Sequence, residues 1–556
     1  MKKILLFILG IILFQVARPA DYEVIHADHP LIEYTGRIDF SNPLNPGFSY
    51  SGVSVRASFR GTSVAIILND AGSQNYYNVI LDHAIVSRLQ TKAGQNTYPI
   101  ATALKDTIHE IELFKLTEET FGKTQFCGYL LDKGKTLVEI TNKRERLIEF
   151  IGNSITCGYG NEGLLGGSFG ASTENHYLTY AAITSRSFNA RHLGVCKSGI
   201  GIYRNYDGPV TGSADCMTNY YQRVYLWDDK PLYSFALKPD LICIDLGTND
   251  FSTGKGDSAL FVNKYLQFID TLQLKNKGAD ILCLLGPMLG GTDLTHVRKY
   301  LKYVADTSTK KNHGKVSFFE MSQQTGSLGI GIDWHPTVAQ HLKNARELIK
   351  NISTLKGWPV VPQLILGSTE ATNELLLEFT TELQDGSGNF KGFSVLCDHV
   401  AVPVSRVFAD ASGSSILHLM LSTKIYKGST VEVTYSEGSV EGTSKMKLVG
   451  IPTFSIPNTI TDNRPTAVND MAVNPANEMI VYSDQANPKR IKYSIGGSAS
   501  EKLTADLFDL RGNRIATRQL TSTSGEIDFN GIVSQRGLYI LKISASKKQY
   551  SKVVFL

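Results

Sequence analysis

Hydrophobic positions change their spacing along the chain. Between residues 21 and 144 they alternate with polar ones over short runs: Ser54-Val55-Arg56-Ala57-Ser58-Phe59, Ser63-Val64-Ala65-Ile66-Ile67-Leu68, Tyr77-Asn78-Val79-Ile80-Leu81 and Thr107-Ile108-His109-Glu110-Ile111-Glu112-Leu113-Phe114. A period of two puts successive side chains on opposite faces of a strand. Arg60-Gly61-Thr62 and Asp82-His83 read as turns. Many short strands with turn signals predict a β-sandwich, here a jelly roll. From 145 to 356, apolar runs of strand length alternate with helical spacing. Strands are expected at 146–152, 191–196, 240–247, 280–286 and 315–321. Tyr177, Tyr180, Ala181, Thr184 and Phe188 share one helical face, as do Val338, Leu342, Ala345 and Ile349. Pro336 suits the first turn of that second helix. This alternation predicts a parallel sheet covered by helices on both faces. The connection at 202–238 is long, and 220–227 reads as a helix inside it.

Helical spacing fades beyond Gly357-Trp358-Pro359. Segment 357–465 reads as an immunoglobulin-like β-sandwich, with strands around Val395 and Val433. The stretch 457–475, rich in Pro, Asn and Asp, is a linker candidate, and 476–556 is another small β unit; 466–556 is taken together as linker and C-terminal domain. The chain opens differently. Met1-Lys2-Lys3 precedes an apolar run that ends at Val16. A charged start and a short apolar stretch make 1–20 a secretory signal peptide. The run falls short of the roughly 20 residues a spanning helix needs, and no later stretch implies a membrane span in the mature chain.

Composition narrows the function. The 556 residues are 42% hydrophobic and 19% charged, with a formal net charge of +4. That is ordinary globular material in several domains. No basic run interleaves with aromatics, which argues against nucleic acid as a partner. Seven cysteines leave at least one unpaired in a secreted chain. Cys243 and Cys283 lie inside apolar strands and read as buried hydrophobes, and Cys157 reads as structural. Zinc-type ligand spacing and phosphate-binding glycine motifs are absent, so neither metal nor cofactor is implied.

Four motifs fall at carboxyl ends of the expected parallel strands, the edge where open α/β sheets bind ligands. Gly152-Asn153-Ser154 follows the first strand, and a serine there can act as nucleophile. Ser198-Gly199-Ile200-Gly201 follows the second, and its glycines can offer bare N–H groups. Gly247-Thr248-Asn249-Asp250 follows the third, and Asn249 can aim its amide at a developing oxyanion. Asp333-Trp334-His335-Pro336 follows the fifth, and His335 can serve as general base. Each motif alone is an ordinary turn, cap or structural residue. Together at one sheet edge they are the parts required for acyl transfer.

These four blocks resemble the SGNH, or GDSL-type, hydrolases, esterases on a flavodoxin-like sheet. The resemblance implies Ser154 as nucleophile, Asn249 as oxyanion donor, His335 as base, and either Gly199 or Gly201 as a further donor. Asn153 stands where aspartate is usual. Gly36-Arg37-Ile38-Asp39-Phe40, Tyr50-Ser51-Gly52-Val53, Gly158-Tyr159-Gly160-Asn161-Glu162 and Arg204-Asn205-Tyr206 are similar to carbohydrate esterase family two. That family pairs a jelly roll with an SGNH domain and removes acetyl groups from xylan and mannan-type polysaccharides. It implies an acetylated polysaccharide or oligosaccharide as substrate, with Trp334, Tyr159, Glu162 and Arg204 as substrate-binding positions. Residues 476–556 look like the C-terminal sorting domain of type IX secretion substrates. This implies the secretion machinery as a partner and export to the cell surface or medium.

The histidine block departs from the common SGNH pattern. The orienting acid usually lies three residues before the histidine, where this chain has Ile332; the nearest acid is Asp333. Family-two esterases are described as Ser–His dyads whose histidine is held by a main-chain carbonyl, which would here be that of Trp334. A triad using Asp333 is the other arrangement. The leading expectation is a secreted carbohydrate O-deacetylase working through an acetyl-enzyme. An esterase for another ester, or a polysaccharide-binding protein, are the alternatives.

Overall fold

A computed structural model describes residues 22–311, 315–384, 390–409, 414–436, 438–464, 479–483, 489–495, 503–509, 513–533, 538–545 and 548–555. The expected signal peptide and much of the linker lie outside the described residues. Chain contacts define two compact units, one reaching Ile425 and taking in Ser429–Thr459, the other made of Tyr426–Gly428 and Ile460–Leu556.

The first unit begins with two antiparallel sheets. One holds Tyr22–His26, Thr124–Asp132, Val64–Asp70 and Gly94–Ala101, with Gly47–Phe48 at its side; the other holds Leu137–Val138, Ser54–Gly61, Thr107–Lys115, Tyr76–Leu81 and Ala84–Gln90, with Glu33–Thr35 beside it. Phe48, Phe59, Ile66, Leu68, Tyr77, Val79, Phe126 and Tyr129 are fully buried in one cluster. Burying each such side chain stabilises the fold by roughly 1.5–3 kcal/mol.

The parallel sheet comes next. Its strands are β1 (Arg146–Gly152), β2 (Ala190–Cys196), β3 (Leu241–Asp245), β4 (Asp280–Leu285) and β5 (Val316–Glu320). Their spatial order is β2-β1-β3-β4-β5, the flavodoxin-like order. All five lie where the hydrophobic pattern places them. Helices α1 (Ser154–Cys157), α2 (Tyr180–Ser187), α3 (Ser258–Lys275), α4 (Gly291–Lys310) and α5 (Val338–Lys356) connect and flank them. Phe261, Tyr265, Leu301 and Val304 pack on one face of the sheet; Tyr180, Ile183, Leu342 and Leu348 pack on the other. Thr337 caps α5 by accepting the Gln340 N–H at 3.2 Å, and Gly357, at φ +67°, ends it.

β1 carries one charge inward. Glu149 is 2% exposed, and Arg37 of the N-terminal β unit donates to its carboxylate at 3.1 Å. Tyr221 donates to the same carboxylate at 3.0 Å. The Arg37 guanidinium also donates to the Tyr221 and Arg223 carbonyls and lies 4.1 Å from the Tyr233 ring centroid. This contact explains a departure from the sequence reading: 220–227 is not a helix, and only Met217–Tyr220 forms a helical turn. Two carbonyls that would have served a helix accept from Arg37 instead.

The first unit also contains two four-stranded antiparallel sheets after α5. They are built from Leu364–Ala371, Glu374–Phe379, Ile416–Leu421 and Val404–Ala409, and from Val400–Val402, Phe393–Cys397, Val431–Tyr435 and Ile451–Ile456. The second unit has a three-stranded and a four-stranded sheet around Val481, Ile491, Leu507, Leu541 and Ile543. Among the described residues no helix is long and apolar enough to cross a membrane.

Candidate active site

β1 delivers Ser154. Leu147, Ile148, Phe150 and Ile151 are fully buried, so the strand is clamped from both faces. It ends at Gly152, where an added Cβ would lie 2.0 Å from Thr156 Oγ1; a larger residue would displace the turn. Asn153 then braces the junction. Its Oδ1 accepts the Ile155 N–H at 2.9 Å and its Nδ2 donates to the Asp245 carbonyl at 3.2 Å. Asn153 thus performs an N-cap's role while tying the end of β1 to the end of β3. Ser154 opens α1 and is 7% exposed.

His335 arrives from the opposite side on irregular backbone. Asp333 and Trp334 have φ of +48° and +66°, left-handed values that cost a non-glycine residue on the order of 1–3 kcal/mol. The turn brings His335 Nε2 to 2.7 Å from Ser154 Oγ. His335 Nδ1 lies 3.1 Å from the Ile332 carbonyl. A carbonyl only accepts, so Nδ1 carries the proton and Nε2 is free to accept the serine hydroxyl's. Burial pulls the imidazole below its ordinary 6.5, against the Ile332 carbonyl, which favours the charged form. The His335 imidazole is therefore neutral at neutral pH.

The Asp333 carboxylate makes no hydrogen bond to the ring, although its charge and the Asp333 main chain both favour the protonated imidazole. That carboxylate accepts from the Tyr159 hydroxyl at 2.7 Å, and the Tyr159 ring lies 4.3 Å from the imidazole, centroid to centroid. The main-chain carbonyl on His335 is that of Ile332, not that of Trp334. The Trp334 carbonyl accepts from Gln324 Nε2 at 2.5 Å. The Trp334 side chain is 62% exposed.

The second and third blocks meet at one loop. Asn249 Nδ2 donates to the Ile200 carbonyl at 2.8 Å. Asp250 accepts three backbone N–H groups, from Ile202 at 3.0 Å, Tyr203 at 2.9 Å and Arg204 at 3.1 Å. Burial pushes the Asp250 carboxyl up to about 6, against those three donors. Gly199, at φ +77°, makes no hydrogen bond through its N–H among the described residues. The Gly201 N–H donates to Asn205 Oδ1 at 3.0 Å, and a Cβ there would meet the Arg204 carbonyl at 1.9 Å. Gly201 is needed for close packing, and Gly199 is the glycine with a donor to spare.

Three domain models align along the chain: the carbohydrate esterase 2 N-terminal domain over 34–140, the GDSL-like lipase/acylhydrolase family over 150–363, and the secretion system C-terminal sorting domain over 474–556. A family two carbohydrate esterase from Clostridium thermocellum, solved in complex with cellohexaose, is 36% identical, with a TM-score of 0.55; the match covers 59% of this chain and 99% of that one. The chain belongs to carbohydrate esterase family two. It is also similar to the cellulase/esterase CelE of Acetivibrio thermocellus, 37% identical over 342 residues; the match covers 61% of this chain but spans only 41% of CelE. An acetylxylan esterase / glucomannan deacetylase of Cellvibrio japonicus is 26% identical over 60% of this chain and 91% of its own.

Two of the expected substrate-binding residues of this family-two esterase are engaged elsewhere. Arg204 is fully buried and donates to the Gly208, Asp250 and Ser252 carbonyls and to Thr253 Oγ1. It ties the second block to the third rather than facing a ligand. Glu162 is ion-paired with Arg88 of the N-terminal β unit and accepts from Asn175 Nδ2 at 2.9 Å. Its two oxygens hold a loop in place. Tyr159 and Trp334 do adjoin the histidine. Cys157 is fully buried and unpaired, like Cys243 and Cys283, which suits the structural reading. Asp250 is the organising residue that the sequence reading gave no role. Its place directly after Asn249 was the only signal.

Proposed function

We propose that the protein is an exported carbohydrate O-deacetylase that releases acetate from acetylated plant polysaccharide of the xylan or mannan type. The observation that carries this is the Ser154 Oγ–His335 Nε2 contact of 2.7 Å, with Nδ1 on a carbonyl acceptor. Ser154 Oγ attacks the acetyl carbonyl carbon while His335 Nε2 takes its proton. The N–H groups of Ser154 and Gly199 and the Asn249 amide receive the developing oxyanion. His335 gives the proton to the departing sugar oxygen, leaving an acetyl-enzyme. Water then repeats the sequence, and acetate leaves as Ser154 regains its proton. Trp334 offers an exposed ring on which a sugar face can stack, whereas the Tyr159 ring is stacked on Phe169, 3.5 Å between centroids. The reading is a dyad: the Asp333 carboxylate accepts from Tyr159 and makes no hydrogen bond to His335.

The substrate class comes from the relatives, which are named for acetylxylan and glucomannan. In this reading 21–144 is a jelly roll, 145–356 the hydrolase, 357–465 a β-sandwich and 466–556 the linker and sorting domain that directs type IX export. The test is acetate release from acetylated xylan, acetylated glucomannan and a short synthetic acetate ester, side by side. Turnover of at least one polysaccharide, absent from Ser154→Ala, is expected. No acetate from any of the three would overturn the reading.

A further inference from the structure

The N-terminal β unit reaches the oxyanion loop directly. Glu118 lies between the strands Thr107–Lys115 and Thr124–Asp132 and is 2% exposed. Its Oε2 accepts the Ser198 N–H at 2.7 Å. The same oxygen accepts the Cys157 S–H at 3.5 Å, and Cys157 ends the helical turn that Ser154 begins. Glu118 is itself held, since its N–H donates to Glu174 Oε2 at 2.8 Å. One buried carboxylate therefore bridges the segment bearing the nucleophile and the residue before Gly199.

Lys197 completes the arrangement. Its ammonium donates to the Ser198 carbonyl at 2.9 Å. A trans peptide is planar, so its N–H points opposite to its C=O. Fixing the Ser198 carbonyl on Lys197 thus fixes the Gly199 N–H in the direction away from Lys197. The Lys197 restraint is charge-assisted, the stronger kind of hydrogen bond; burial pushes the Glu118 carboxyl up, and its Oε2 accepts the Ser198 N–H in either protonation state. A cation on the carbonyl also polarises the peptide and strengthens its N–H as a donor.

We propose that Glu118 and Lys197 are positioning residues for the esterase reaction, one from each side of the domain junction, which together aim the Gly199 N–H at the oxyanion. This rests on the reading of Gly199 as an oxyanion donor. The N-terminal β unit is then part of the catalytic machinery and not only a scaffold. An oxyanion donor acts on the transition state more than on bound substrate, so misaiming it lowers kcat and leaves KM nearly unchanged.

The experiment measures steady-state acetate release by the full chain carrying Glu118→Ala, Glu118→Gln, Lys197→Met or Lys197→Arg, with folding followed by near-ultraviolet circular dichroism. Losing a donor outright costs roughly 10² to 10³ in turnover, and misaiming one costs less. Glu118→Ala is expected to lower kcat about 10- to 100-fold and Lys197→Met about tenfold, with KM within about threefold. Glu118→Gln keeps an acceptor oxygen and Lys197→Arg keeps a cation, so each should recover most of the loss. A folded Glu118→Ala with near-wild-type kcat, or a loss carried by KM, would overturn the proposal. If Glu118→Ala fails to fold, the half-buried Lys197 decides: wild-type kcat in Lys197→Met would overturn it. Wild type and Ser154→Ala run alongside. If wild type releases acetate and Ser154→Ala does not, the esterase reading stands whatever the Glu118 and Lys197 variants do.

Discussion

Ser154 stands at a regular strand-to-helix junction, whereas His335 follows two residues in left-handed conformation. The serine is placed by packing: a fully buried strand, a glycine with no room for a side chain, and an asparagine cap. The histidine is placed by main-chain geometry, with both its backbone N–H and its Nδ1 on the Ile332 carbonyl, at 3.0 and 3.1 Å. Residue 332 is the position where the common pattern has an orienting acid. Here its carbonyl does that work, and the side chain is a buried isoleucine. The Asp333 carboxylate is thereby left to hold Tyr159 and reaches the imidazole only through its charge, without a hydrogen bond. An acid close before a histidine need not be its hydrogen-bond partner.

The comparison breaks most sharply at its two ends. Ser154→Ala and His335→Ala should each lower kcat for acetate release on the order of 10⁶-fold in folded protein, since members of such a set fail together. A His335→Ala variant within a hundredfold of wild type would mean that the histidine side is dispensable. Asn249→Ala should cost roughly 10² to 10³ in kcat with little change in KM. A rise in KM alone would move Asn249 to ground-state binding.

The protonation of His335 sharpens the contrast. The base must be neutral, and burial lowers its pKa from 6.5. A plot of kcat/KM against pH should therefore fall on the acid side with a midpoint below 6.5 and approach a tenfold loss per further pH unit. A midpoint above that value would indicate a carboxylate on the imidazole. The smallest effect is expected for Asp333→Asn. Converting a true triad acid to its amide costs about 10⁴; with Asp333 on Tyr159, the loss in kcat should stay below about tenfold. A thousandfold loss would restore the triad.

What the sequence showed and what it hid follow the same division. The five parallel strands were legible because burial on both faces leaves continuous apolar runs such as those of β3 and β4. Ser154, Asn249 and His335 were legible because motifs at one sheet edge constrain each other. The Ile332 carbonyl was not, because main-chain atoms carry no residue identity. Nor was the absence of a helix at 220–227, since the guanidinium that takes its carbonyls belongs to a residue 184 positions earlier than Tyr221. Arg204 was misjudged for a related reason. Its residue type suggested a ligand, but its acceptors at Asp250 and Ser252 lie 46 and 48 positions away and are brought to it only by the sheet.

The Arg37–Glu149 pair constrains how chains of this kind can be recombined. Residues 144 and 145 look like a seam at which a front half could be exchanged for another. The seam is chemically closed. Burial drives the Glu149 carboxyl upward, and Arg37 is the cation that opposes it. Removing one partner of a buried pair costs about 3–5 kcal/mol, a large share of the roughly 5–15 kcal/mol by which domains are stable. A graft that replaces the front half without an arginine at this place would inherit a charge it cannot solvate. The two halves must therefore travel together through evolution or through the laboratory, or a neutral residue must first be accepted at position 149.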